Sequence, residues 1–169
     1  MSSAFSVSQL ADAVTDRGLF DDPGTVLRQL RHWSALGILR CQGAALVGQG
    51  KHRRYDRNAV FVAAVLVRMA ANGTPASALK ALSTSLEEKV FKHPEGRVLW
   101  EAAINGDALV DLSFRFIRHP GSDTIYQADG WLAPRGQDAK ESNEPSTVPI
   151  TKMHLTELFN GVGARLSRY

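Results

Sequence analysis

The amino-acid sequence predicts an α+β protein in two parts: a basic, helical first half and a small mixed α/β second half built on an antiparallel hairpin. Three observations carry this reading. Capped segments with apolar side chains at 3–4 spacing recur from Val7 to Leu82. At 110–117 the period changes to two, with Val110, Leu112, Phe114 and Phe116 on one face and Asp111, Ser113 and Arg115 on the other. Charge divides the chain in the same way. Residues 1–82 hold 10 basic and 5 acidic side chains and residues 83–169 hold 10 and 12, which together make the net +3.

The first helix is expected over about 7–15. Ser6 and Gln9 form its capping box, Phe5 and Leu10 its hydrophobic staple, and Val7, Leu10, Ala11 and Val14 its apolar face. Asp22 caps a second helix with Pro23 at the first helical position, or Thr25 caps it instead, and Gly37 is its left-handed stop. Val26, Leu27, Leu30, Trp33 and Leu36 fall on its inner side, which leaves Arg28, Gln29, Arg31 and His32 towards solvent. Ile38–Cys41 and residues 45–47 read as short strands joined through Gly43, with His52–Tyr55 extending the second. Asp56 caps a third helix over 57–71 whose VFVAAVLVRMA stretch is apolar nearly all round and so belongs in a core. Thr74-Pro75 opens another, with Ala78, Leu79 and Leu82 inside.

Beyond Ser83, Ser85 and Glu88 read as a second capping box for a short helix ending near Lys92. Pro94 interrupts, and a helix over Val98–Ile104 ends before Asn105-Gly106. The strand at 110–117 is joined through a PGSD turn to a second strand in TIYQADGWLA. Residues 134–147 are polar and are expected to be a mobile loop. A strand near 148–153 then joins the hairpin, and a final helix places Leu155, Leu158, Phe159, Val162 and Leu166 on one side, over the Leu112, Phe114 and Phe116 face.

Apolar content of 44% and charged content of 22% are those of an ordinary globular chain. No apolar run reaches the roughly 18 residues of a membrane span, and the first residues lack a basic signal region, so a cytoplasmic protein without membrane contact is expected. The lone Cys41 excludes an internal disulfide and a Cys-rich zinc site. His32 and His52 lack a third ligand at useful spacing, so no metal and no cofactor are expected. His93, His119 and His154 sit in no nucleophile or paired-carboxylate motif, so no catalytic residues and no enzyme activity are expected. Trp100, Trp131, Tyr126 and the Phe114/Phe116 face read as core before they read as a ligand pocket.

The stretch with chemical character runs from Arg28 to Arg57. It holds Arg28, Arg31, Arg40, Lys51, Arg53, Arg54 and Arg57 against the single acid Asp56. Such a cluster on a short helix and a glycine-rich loop is the electrostatic footprint of a surface that meets phosphates, and the order of helix, then basic loop, is that of a winged helix-turn-helix. The segments LRHWSALGIL (30–39), RRY (53–55) before a helix, and RMAANGTPASAL (68–79) resemble the winged-helix domain of the MerR family of transcriptional regulators. The resemblance covers the first ~82 residues. It implies that Arg31 stands at the family's recognition-helix arginine, His32 and Trp33 at its two tyrosines, and Arg53 and Tyr55 at the wing arginine and tyrosine. It also implies RNA polymerase as a partner and activation by twisting promoter DNA. The family's long dimerising helix has no counterpart here, because Pro94 and Gly96 break any such run.

The expected organisation is therefore a DNA-binding domain at 1–82 and a small dimerisation or sensing domain at 83–169. The expected partners are double-stranded DNA, a second copy of the chain and an effector of unknown identity. Arg28, Gln29, Arg31 and His32 would face a major groove, where arginine fits guanine O6 and N7 and Gln29 fits adenine. Lys51, His52, Arg53 and Arg54 would grip phosphates, and Tyr55 would pack under the wing with its hydroxyl on a phosphate. Two other readings share these residues: an excisionase-like architectural protein that bends DNA, and a protein- or ligand-binding module for which the winged domain is only an anchor.

Overall fold

The computed structural model describes residues 4–15, 22–41, 53–118, 125–137 and 151–167. The fold is α+β. Helices α1 (Val7–Val14), α2 (Pro23–Ala35), α3 (Arg57–Ala71), α4 (Ala76–Ser85), α5 (Pro94–Asn105) and α6 (Leu155–Leu166) accompany a three-stranded sheet of β1 (Val110–Arg118), β2 (Ile125–Pro134) and β3 (Thr151–His154). The residues 42–47 expected in the loop and second strand, Lys51 and His52, the PGSD turn, and most of the polar 134–147 stretch lie outside the described residues. The chain divides into two compact units, Met1–Gly73 with Gly161–Tyr169, and Thr74–Asn160. The boundary expected after residue 82 falls inside α4.

In the first unit, α1 packs on α2 and α3. The ends of its helices follow local chemistry. Ser6 Oγ accepts from the Gln9 amide while the Gln9 side chain accepts from the Ser6 amide, so two otherwise unpaired donors of α1 are satisfied. Asp22 accepts from the Gly24 and Thr25 amides above Pro23, and Asp56 accepts from the Ala59 amide at 2.7 Å. Residues Val60 to Val67 and Met69 of α3 are all buried, as an all-round apolar helix requires. At the other end of α1, Arg165 Nε donates to the Ala13 carbonyl at 2.6 Å. That oxygen is one of the acceptors a helix C-terminus leaves open, and a cation suits the negative end of its dipole.

Two expectations for this unit are corrected. Ile38–Cys41 does not begin a strand. Gly37 turns left-handed (φ 68°), and the Ile38 amide folds back to the Trp33 carbonyl at 2.8 Å. This 6→1 bond ends α2 in a Schellman turn, with Ile38 and Leu39 buried beside Trp33's helix. The same reversal explains Leu36, which is 45% exposed rather than inward: it lies past the last helical residue, where 3–4 spacing no longer sets direction. In the segment expected to end the wing, Arg54 and Tyr55 are both in β-bridges, and that of Tyr55 is to Phe5, ahead of α1.

The second unit is organised on the hairpin. β1 pairs antiparallel with β2 on one side and β3 on the other, giving the order β2-β1-β3. Val110, Leu112 and Phe114 are fully buried, whereas Phe116 is only half-buried. The elements that pack on β1 and β2 are α4, a π-helical turn (Leu86–Phe91) and α5. The covering role expected of the last helix thus belongs to helices that precede the hairpin. α6 contributes Phe159, which meets Trp100 edge-on at 4.9 Å, while Phe91 meets Trp100's other side at 5.1 Å. Trp100 is core, as expected.

Ser85 caps nothing. Its backbone is helical and α4 runs through it into the π-turn without a break. The hydroxyl instead accepts the buried Gly130 amide at 3.0 Å, tying α4 to β2. Pro94, at the first helical position, starts α5 four residues earlier than Val98, and Gly106 ends it left-handed (φ 77°).

Candidate nucleic-acid interface

Arg28, Arg31 and His32 project from the exposed side of α2, and residues three or four apart on a helix share a face. Arg31 and His32 make no ion pair or hydrogen bond among the described residues. Arg28 leans back to the start of the helix, its Nη2 donating to Thr25 Oγ1 at 3.0 Å and lying 3.7 Å from Asp22. Asp22 is held below the ordinary carboxylate range by the Thr25 hydroxyl first, then by the Gly24 and Thr25 amides and the Arg28 charge. Gln29 is half-buried and its Oε1 is enclosed with no hydrogen-bond partner, so its amide is turned from the exposed face expected of a base-reading side chain.

Of the wing residues within the described chain, Arg54 is exposed and Arg53 half-buried. Tyr55 departs from expectation. It is 1% exposed, and both its backbone amide and carbonyl are bonded to Phe5, at 2.9 and 2.8 Å. Its hydroxyl lies 2.6 Å from Ser34 Oγ on α2. A tyrosine so enclosed belongs to the core, and its hydroxyl is committed inside the protein rather than offered to a phosphate. Arg57 opens α3 with its guanidinium 5.8 Å from the Phe61 ring, and Arg40 is exposed just past the end of α2.

The Ser34–Tyr55 contact ties the segment before α3 to α2. Arg53 and Arg54 are joined directly to a residue that touches α2, and consecutive Cα atoms are only ~3.8 Å apart. On α2, Arg31 is one helical turn before Ser34 and exposed.

The polar face of the sheet in the second unit is engaged in ion pairs. Asp111 Oδ1 accepts from His154 Nδ1 at 2.7 Å and from Arg135 Nε at 3.3 Å, and Arg135 reaches Glu157 at 2.9 Å. Asp129 pairs with Arg115 at 3.2 Å and with Lys89. His154 is thus oriented by a carboxylate, with no nucleophile among its described partners. No group of three or more His, Cys, Asp or Glu among the described residues is placed to hold a metal ion. No helix among them is long and apolar enough to cross a membrane. Compared with protein-family models and with curated proteins, the chain finds no match.

Proposed function

We propose that the first unit binds double-stranded DNA through α2 and the basic segment before α3, and that the protein regulates transcription by doing so. The observation that carries this is the Ser34–Tyr55 contact, which ties the chain next to Arg53 and Arg54 to α2, one helical turn from the exposed Arg31. Arg31, exposed and without an internal partner, is the residue for a base edge: a guanidinium presents the parallel donors that guanine O6 and N7 accept. Arg54 is the residue for a phosphate. One module of this size buries too little surface for tight specific binding, so two copies on two half-sites are part of the reading.

Selection of bound fragments from genomic DNA gives the test. Affinity for a selected site should fall with salt at a log–log slope of about −0.9 per phosphate neutralised. Arg31→Ala should cost about 1–3 kcal/mol and relax preference at one base position, while Arg54→Ala should weaken all sequences alike and flatten the slope by about 1. Two variants that both bind as the wild type does would remove α2 and the loop base from the DNA surface.

A further inference from the structure

Tyr55 looked, in sequence, like one more contact in the basic cluster; its surroundings give it a different task. We infer that Tyr55 and Ser34 form a strut that sets the distance and orientation between the helix that reads bases and the segment that grips phosphates. The inference rests on the DNA-binding reading above and names what makes that surface selective.

The hydrogen bonds determine which way the strut is polarised. Ser34 Oγ donates to the Leu30 carbonyl at 2.8 Å. A serine hydroxyl has a single hydrogen, so in the 2.6 Å contact with Tyr55 it is the acceptor and Tyr55 Oη the donor. The result is a directed chain from Tyr55 to Ser34 to the backbone of α2, in which each bond polarises the next. At its other end Tyr55 cannot slide. Its amide and carbonyl are both paired with Phe5, immediately before the capping box of α1, and its ring is buried. Tyr55 is therefore held at its backbone by Phe5 and at its hydroxyl by α2, with its ring buried between.

Its neighbours in sequence inherit that placement. In extended backbone successive side chains alternate, and with Tyr55 inward Arg54 is directed outward, as its exposure shows. On α2, Arg31 stands one turn from Ser34 on the exposed side. A phosphate-gripping arginine and a base-reading arginine are thus referred to one partly buried hydrogen bond. Selectivity needs both contacts made in a single register, whereas loose binding to any duplex needs only the charges. Tyr55 is a positioning residue, and it touches no DNA.

The test uses the full chain and two duplexes, a selected site and a scrambled one of equal length, with Arg31→Ala as reference. Tyr55→Phe keeps the ring in the core and removes only the donor. It should lower the ratio of selected to scrambled affinity about five- to tenfold, the equivalent of one lost hydrogen bond, while scrambled-site affinity and its salt slope stay at wild-type values. Ser34→Ala should give the same loss, and the double variant no more than either alone. Ser34→Thr, which retains a hydroxyl, should restore most of the ratio. A Tyr55→Phe protein that melts lower but discriminates like the wild type overturns the inference and leaves the DNA-binding reading intact. A wild-type protein with no salt-sensitive duplex binding, or with Arg31→Ala and Arg54→Ala both binding as the wild type does, overturns that reading and the inference with it.

Discussion

Gly96 sits in the first turn of α5, and replacing it with alanine sets two effects of known size against each other. Alanine in a helix is favoured over glycine by about 0.8–1.0 kcal/mol, which alone would stabilise the protein. A β-carbon at position 96, however, would lie 2.8 Å from both the α-carbon and the carbonyl oxygen of Val90 and 3.1 Å from the carbonyl oxygen of Lys89. All three are backbone atoms of the π-turn, and Val90 is itself buried, so no side chain can swing aside. The π-turn and α5 must part by roughly half an ångström, and overpacking of this kind costs about 1–3 kcal/mol. The net expectation is a loss of about 0–2 kcal/mol, or about 2–4 °C in Tm for each kcal/mol lost in a chain of this length. Gly163→Ala is the matched control. It lies in α6, with no neighbour within 4 Å of the added carbon, and should stabilise by about 0.4–1 kcal/mol. Thermal unfolding followed by far-ultraviolet circular dichroism reads both variants. If Gly96→Ala melts above the wild type, the close approach of α5 to the π-turn is wrong; if Gly163→Ala melts below it, the open space around that position is wrong.

Ser85→Ala removes the acceptor of the buried Gly130 amide and should cost about 1–3 kcal/mol, measured by the same melting curves; no change would mean the amide finds another partner. Asp22 titrates below the ordinary value of 3.8 in the folded protein, so its stabilisation of α2 is complete above that pH and is lost as the pH falls through the lower folded value. Asp22→Asn keeps an acceptor but has no charge to lose, so the Tm difference between it and the wild type should shrink on acidification through this range. A difference that stays constant with pH refutes the role of the charge.

What could be read from the sequence is what depends on near neighbours. The Ser6–Gln9 box, the Asp22-Pro23 start, the Gly37 and Gly106 stops and the Asp56 cap involve residues a few positions apart, and each stands where its local chemistry placed it. Val110, Leu112 and Phe114 likewise form a buried face, because a strand's period is a local property, but Ser113, expected on the polar face, is buried as well. Ser85 was misread because the same Ser-x-x-Glu pattern serves a helix start or lies within a continuing helix, and its actual partner is 45 residues away. Tyr55 was assigned to the right region and the wrong surface, since nothing nearby in sequence announces Phe5 or Ser34. The strand proposed at Ile38–Cys41 has β-favouring side chains, but the unsatisfied Trp33 carbonyl and the left-handed Gly37 claimed its first amide.

The bond from Arg165 to the Ala13 carbonyl joins positions 152 apart. It imposes an order of events on the chain as it is made. α1, α2 and α3 leave the ribosome early, with the Ala13 oxygen still lacking its partner. The whole second unit is then synthesised before Arg165 exists. The first unit thus waits on its own last contribution, and for that interval its N-terminal helices are open to chaperones and proteases. A chain cut short between residues 74 and 164 would carry every residue of the proposed DNA surface and still lack this closure, so the first unit is finished only once Arg165 has been made.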